Sequence, residues 1–296
     1  MSGGQLRAAP TSLQPFVVHR AAVKLSLLLV SILAVVTLSV GSCAADTPTP
    51  AQDTQPRAQV ASQPVFDDFV GPNGSAPNPD LWVADVGSSA EMGWEQGSVQ
   101  TYTDSPDNIR LDGQGFLIIE ARKSGDHHTS GRLVTRGKMN FGFGTVSARI
   151  KVPSGQGIWP AFWMLGSNID AVGWPQSGEI DIMELVGPGT KSHVALHGPN
   201  ANVETKGTAM GKLTEDFHTY WVTREKDDIT IGVDDFILGA FTPESLPPGG
   251  QWVFNGPMFA LLNVAVGGDW PGLPDRSTPF PATMKVDWFR FDPSTS

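Results

Sequence analysis

The sequence predicts an all-β protein built as a sandwich of two sheets, and three observations carry that expectation. Glycine and proline supply 57 of the 296 residues, hydrophobic residues 40% and charged residues only 17%. That mix is too apolar for a disordered chain and too rich in turn formers for a helical bundle. Period-two alternation of apolar and polar residues recurs along the chain, as expected of half-buried strands. Beyond an apolar segment near the N-terminus, no stretch of a dozen residues sustains a helical period.

The N-terminal part reads as an address. Leu25 to Leu38 is uncharged and follows Arg20 and Lys24, too short for a comfortable membrane span and suited to a signal-peptide core. Val40-Gly41-Ser42-Cys43 follows directly, and Cys43 is the only cysteine in the chain. The segment resembles a bacterial lipobox, which implies residues 1–42 as a lipoprotein-type signal and Cys43 as the lipidation site. A single cysteine allows no intrachain disulfide, so the domain must hold by packing or metal. Residues 43–63, rich in Ala, Pro, Thr and Gln, read as a disordered tether. The domain is expected over residues 64–292, a length common for a single all-β domain.

Within it, Val146, Ala148, Ile150 and Val152 alternate with polar residues. So do Ile229, Ile231 and Val233, which lead into an Asp234-Asp235 turn, and Met284, Val286 and Trp288 near the end. Phe116 to Ala121 and Met258 to Val266 are near-continuous apolar runs, the pattern of strands buried on both faces. From Cys43 onward, 17 basic side chains face 30 acidic ones. So acidic a domain is a poor partner for nucleic acid or an anionic membrane.

The chemistry is concentrated in Gly178 to Gly187, GEIDIMELVG. On a regular strand Glu179 and Asp181 share a face, while Glu184 points the other way, into the core. A buried unpaired carboxylate is very costly. One extra residue at Ile182 or Met183, a β-bulge, turns Glu184 back to join the other two. Glu179 and Glu184 then span roughly 13–16 Å between Cα atoms, and inward-leaning side chains bring their carboxyls toward the roughly 5 Å used by retaining glycosidases. Three crowded carboxylates cannot all ionise easily, so at least one pKa is expected to rise. Trp159, Trp163 and Trp174 stand close by in the sequence and offer flat apolar faces to sugar rings.

The E-x-D-x-x-E strand, GIWPAFWML before it and LLNVAVGGDWPG near the end resemble glycoside hydrolase family 16, in its bacterial laminarinase-like branch. The likeness runs in order over about residues 64–292. It implies a β-jelly roll of two curved antiparallel sheets with a concave glycan cleft, Glu179 as nucleophile, Asp181 as its assistant and Glu184 as general acid/base. It also implies substrate contacts from Arg132, Gln100 and His197, beside the three tryptophans. Asp68, Gly113 and Asp287 resemble the residues of a structural calcium site in related enzymes, with no cofactor needed for catalysis. Where many relatives carry a glutamate in the stretch after Gly93-Trp94, this chain has Ser98.

The expectation is an exported, lipid-anchored or secreted monomer that hydrolyses internal linkages of a neutral polysaccharide, β-1,3-glucan first. The alternatives are a galactan-type hydrolase, a cell-envelope transglycosylase, and a carbohydrate-binding jelly roll without activity. The intact acid triad argues against the last, because binding alone does not require three crowded carboxylates.

Overall fold

A computed structural model describes residues 58–88, 97–205, 207–209, 211 and 213–295. The signal segment, Cys43, most of the tether and the Gly93-Trp94 stretch lie outside the described residues. Two sheets make up the domain. The first runs, edge to edge, through the strands Gln59–Ala61, Met139–Phe141, Met258–Val266, Ile158–Gly166, Glu179–Glu184, Lys191–Gly198 and Ala201–Glu204. The second runs through Phe236–Phe241, Asp228–Val233, His218–Glu225, Gly144–Lys151, Ala282–Pro293, Leu117–Ser124, His127–Ser130, Gln100–Tyr102 and Gly87–Ser88. Helix is confined to Ile169–Val172 and one 3₁₀ turn, Pro243–Ser245, among the described residues.

The alternating residues enter the core as their period requires, except that a register shift after Val286 sends Phe289 inward in place of the expected Trp288. Val146, Ala148 and Ile150 of the second sheet and Phe162, Met164, Ile180 and Ile182 of the first meet in one apolar core between the sheets. On the other face of the first sheet its own side chains Val134, Ala161, Trp163, Leu165, Phe259 and Leu261 form a second, smaller buried cluster. With both faces of that sheet buried, the strand Met258–Val266 is apolar at every position but Asn263, and all of its residues are buried.

Strand Gln59–Ala61 corrects the expected tether boundary. These residues pair in parallel with Met139–Phe141, and Ala61 is buried in the core. Ordered pairing therefore begins inside the segment read as a flexible linker. Ala61 supplies an apolar contact that the Ala/Pro/Thr-rich composition around it conceals.

One buried cation ties the sandwich at an edge. Arg224, 1% exposed, donates from Nη1 to the carbonyls of Phe141 and Gly142 and from Nη2 to those of Phe254 and Gly256. Burial lowers its pKa to about 10. Carbonyl dipoles, rather than a carboxylate, compensate the charge.

Candidate active site

Glu179 opens its strand immediately after Gly178, whose φ of +79° is a left-handed conformation that glycine adopts without a Cβ penalty. A Cβ there would also press on Val253 and Phe254, at 3.1 and 3.2 Å. The strand Glu179–Glu184 lies between Ile158–Gly166 and Lys191–Gly198. Its register breaks against both neighbours: Trp163 faces Asp181 while Phe162 faces Met183, and Ala195 faces Asp181 while His193 faces Glu184. The expected bulge is therefore present at Ile182-Met183. Both of these side chains enter the core, and Glu184 returns to the face that carries Glu179 and Asp181.

The outer two carboxylates each accept a hydrogen bond from an indole. Trp174 Nε1 donates to Glu179 Oε2 at 3.0 Å, and Trp159 Nε1 donates to Glu184 Oε1 at 2.9 Å. Asp181, between them, is 3% exposed. His197, opposite Glu179 in the register, brings Nε2 to 3.0 Å from Asp181 Oδ2 and 3.8 Å from Glu179 Oε1. It thus touches the acid cluster itself, a closer association than the sugar contact expected from sequence.

The crowding moves proton affinities upward, as expected of three close carboxylates. Burial raises the Asp181 carboxyl to about 8. Burial first, then the neighbouring Asp181 and Glu184 charges, hold Glu179 well above the ordinary range, against the opposing pull of His197 and the Trp174 N–H. The Glu179–Asp181 pair therefore retains a proton at neutral pH, which Asp181 can hold while Glu179 ionises. A carboxyl whose pKa is higher in the folded than in the unfolded chain stabilises the fold fully below the unfolded value. It loses that contribution as pH rises toward the folded value. Asp181→Asn, which cannot ionise, is expected to melt near the parent at pH 4 and at least about 3 °C above it at pH 8. Thermal unfolding at the two pH values checks this, and an equal or lower melting temperature at pH 8 would refute the raised affinity of Asp181.

The aromatic residues divide. Trp174 is 56% exposed and overhangs His197, with ring centroids 6.3 Å apart. Trp159 meets Trp270 edge-on at 5.5 Å, and Trp270 in turn meets His193 at 4.9 Å. Trp270, 45% exposed, joins the site without having been singled out in the sequence, although it stands in the GGDWPG segment. Trp163 does not offer an open face: it is 6% exposed and its Nε1 donates to Asn263 Oδ1 at 2.7 Å. Asn263 also donates to the Tyr102 hydroxyl. A lone amide in the apolar run MFALLNVAV was the signal for this buried network.

Two expected subsite residues are corrected in the same way. Arg132 is 1% exposed, donates twice to Asp85 Oδ2 and lies over the Tyr102 ring. Gln100 is buried, with Oε1 accepting from the Val266 amide and Nε2 donating to Ser98. Both support the sheet beneath the site. Their partners are remote in sequence, which is why a strand-by-strand reading could not bury them.

The suggested calcium residues are also engaged by protein. Asp287 Oδ2 accepts from Arg149 Nη1 at 2.6 Å, and Asp68 Oδ1 accepts from the Val70 amide. Gly113 packs against Asn73. An arginine on one carboxylate oxygen of Asp287 already supplies positive charge there.

Comparisons with known proteins agree with this geometry. The family model described as glycosyl hydrolases family 16 matches residues 87–290. The chain is 38% identical over 237 residues to a beta-glucanase of Rhodothermus marinus, covering 72% of this chain and 79% of that one. It is 31% identical over 248 residues to the glucan endo-1,3-beta-glucosidase A1 of Niallia circulans, covering 74% of this chain but 36% of that longer protein. The X-ray structure of an endo-beta-1,3-glucanase from Pyrococcus furiosus superposes with a TM-score of 0.71 at 39% identity, over 78% of this chain and 94% of that one.

Proposed function

The chain belongs to glycosyl hydrolases family 16, and on that premise we propose that it is an exported endo-β-1,3-glucanase that cleaves with retention of configuration. The observation that carries the reading is the bulged strand, which sets Glu179, Asp181 and Glu184 on one face and caps the outer two with indole N–H groups. In the first step Glu179 attacks the anomeric carbon while Glu184 delivers a proton to the departing oxygen. In the second, Glu184 takes a proton from water as the water displaces Glu179. Asp181, holding its proton at neutral pH, moderates the charge on Glu179 as the covalent bond forms and breaks. The Trp174 N–H favours the ionised nucleophile.

A neutral glycan suits the surroundings. The acid cluster would repel sulfate or uronate, and the exposed faces of Trp174 and Trp270 suit uncharged sugar rings. The relatives named for 1,3-β-glucan hydrolysis support that linkage. Incubation with a panel of neutral, sulfated and uronic polysaccharides, with products separated by chromatography and anomers followed by NMR, tests the proposal. The expected result is internal cleavage of β-1,3-glucan to β-configured products, with a Michaelis constant unchanged within about twofold between low and high salt. Preference for a sulfated polymer, or α-configured first products, would overturn it.

Export rests on the N-terminal apolar segment, and attachment at the extracellular face of the cell membrane rests on Cys43. Cys43→Ala in a bacterial host is expected to move the protein from the membrane to the soluble fraction. Unchanged retention with normal processing would remove the lipid anchor and leave export standing.

A further inference from the structure

We propose that Glu179, Asp181 and His197 also form a binding site for a divalent transition-metal ion of the zinc or copper kind, and that such an ion excludes the glycan. The inference rests on the reading of Glu179 and Asp181 as catalytic, and it adds an inhibitory ligand which that reading does not require.

One ligand atom from each of the three side chains lies within 4.8 Å of the other two, the one such set among the described residues. His197 Nε2 stands 3.0 Å from Asp181 Oδ2 and 3.8 Å from Glu179 Oε1. Ligand atoms about 2.0–2.2 Å from a tetrahedral ion lie roughly 3.3–3.5 Å apart. The observed separations bracket that value, so small side-chain shifts admit the ion.

A second, independent feature points into the same space. Asp181 Oδ2 is buried and accepts no hydrogen bond. His197 Nε2 is 3.0 Å away but outside hydrogen-bond geometry, and an ion bound there takes the place of the proton that the Glu179–Asp181 pair keeps at neutral pH. Buried polar atoms seldom remain unsatisfied, and a cation answers this one. Glu179 is equally prepared, since Trp174 engages Oε2 and leaves Oε1 on the metal side.

The donor set selects the kind of metal. Imidazole nitrogen with carboxylate oxygen suits zinc and copper, whereas calcium and magnesium take oxygen ligands throughout. Glu179 and His197 keep 18% and 24% of their side-chain surface open. Solvent can therefore supply a fourth ligand, as at open zinc sites with three protein donors. An ion so placed sits on the nucleophile, and a glycan cannot approach the same carboxylate.

Calorimetric titration of the full chain, stripped with chelator and then given ZnCl₂, tests the proposal. The expected result is a zinc site whose affinity falls at least about tenfold in His197→Ala and in Asp181→Asn. Zinc elsewhere, on Cys43 or on loop histidines, is common to all three proteins and cancels in the comparison. A soluble β-1,3-glucan oligosaccharide is expected to weaken zinc uptake, and zinc is expected to raise the Michaelis constant while leaving kcat at saturating glycan unchanged. Should His197→Ala fail to fold by circular dichroism, the near-isosteric Asp181→Asn carries the comparison. Zinc uptake equal in parent and folded variants would overturn the proposal, as would inhibition that saturating glycan cannot relieve. A chain that binds zinc through these residues yet cleaves no polysaccharide would keep the site and remove the glucanase reading. An active glucanase whose zinc binding is indifferent to His197 and Asp181 would do the reverse.

Discussion

Glu179→Gln is expected to fold like the parent and to lose turnover by about 10⁴-fold or more, as removal of a covalent nucleophile does. The amide keeps the size and shape of the carboxyl and can still accept the Trp174 N–H. It carries no charge and no nucleophilic oxygen for the anomeric carbon, so the covalent intermediate cannot form. The loss should fall on kcat, because indole faces and the rest of the cleft are untouched. Initial rates on β-1,3-glucan, with circular dichroism to confirm the fold, provide the check. Retention of more than about a tenth of the parent rate would remove Glu179 from the nucleophile's role.

Glu184→Ala is expected to cost about 10²–10⁴-fold on a polysaccharide, where the departing sugar needs a proton. The substitution also leaves the Trp159 N–H without the acceptor it has at 2.9 Å. Glu184→Gln, which restores an acceptor but no acid, separates these effects. On an aryl oligoglycoside with a good leaving group, the first step proceeds without acid help and the glycosyl-enzyme accumulates. Azide then replaces the missing base, attacks the intermediate on Glu179 and releases a β-configured glycosyl azide. Neither rate recovery nor azide product in the alanine variant would count decisively against Glu184 as the acid/base.

Much of this arrangement was legible in the residues. The alternation of Val146, Ala148 and Ile150 against Ser147 and Arg149 identified a strand, and the sheet pairing bears it out. The bulge was legible because burial of a lone Glu184 would be so unfavourable that the chain had to deviate at Ile182-Met183. What escaped was non-local. Arg132 meets Asp85, 47 residues away, and Gln100 meets Val266, 166 residues away. Local pattern assigns each a polar surface role, and only the closed sandwich buries them. Trp163 follows the same logic, since Leu261, about a hundred residues away in sequence, is its partner on the neighbouring strand and shares its buried cluster. His197 was expected at the sugar and lies at the acids, because register across neighbouring strands sets it opposite Glu179.

The bulge has a consequence for how such a strand can change length. Glu179 and Glu184 are five residues apart along their own chain. Their partners are Leu165 and Ala161 on one side and His197 and His193 on the other, four apart in each case. Measured along the sheet, the acids thus occupy the spacing of an unbulged strand one residue shorter. The extra residue leaves the distance between the acids unaltered and adds a second consecutive side chain to the core, where Ile182 and Met183 are both fully buried. Two sequence lengths can therefore encode one catalytic spacing, and a single-codon deletion there is a step between them. Its toll would fall on the packing beneath the cleft, while the alignment of the carboxylates above it is conserved.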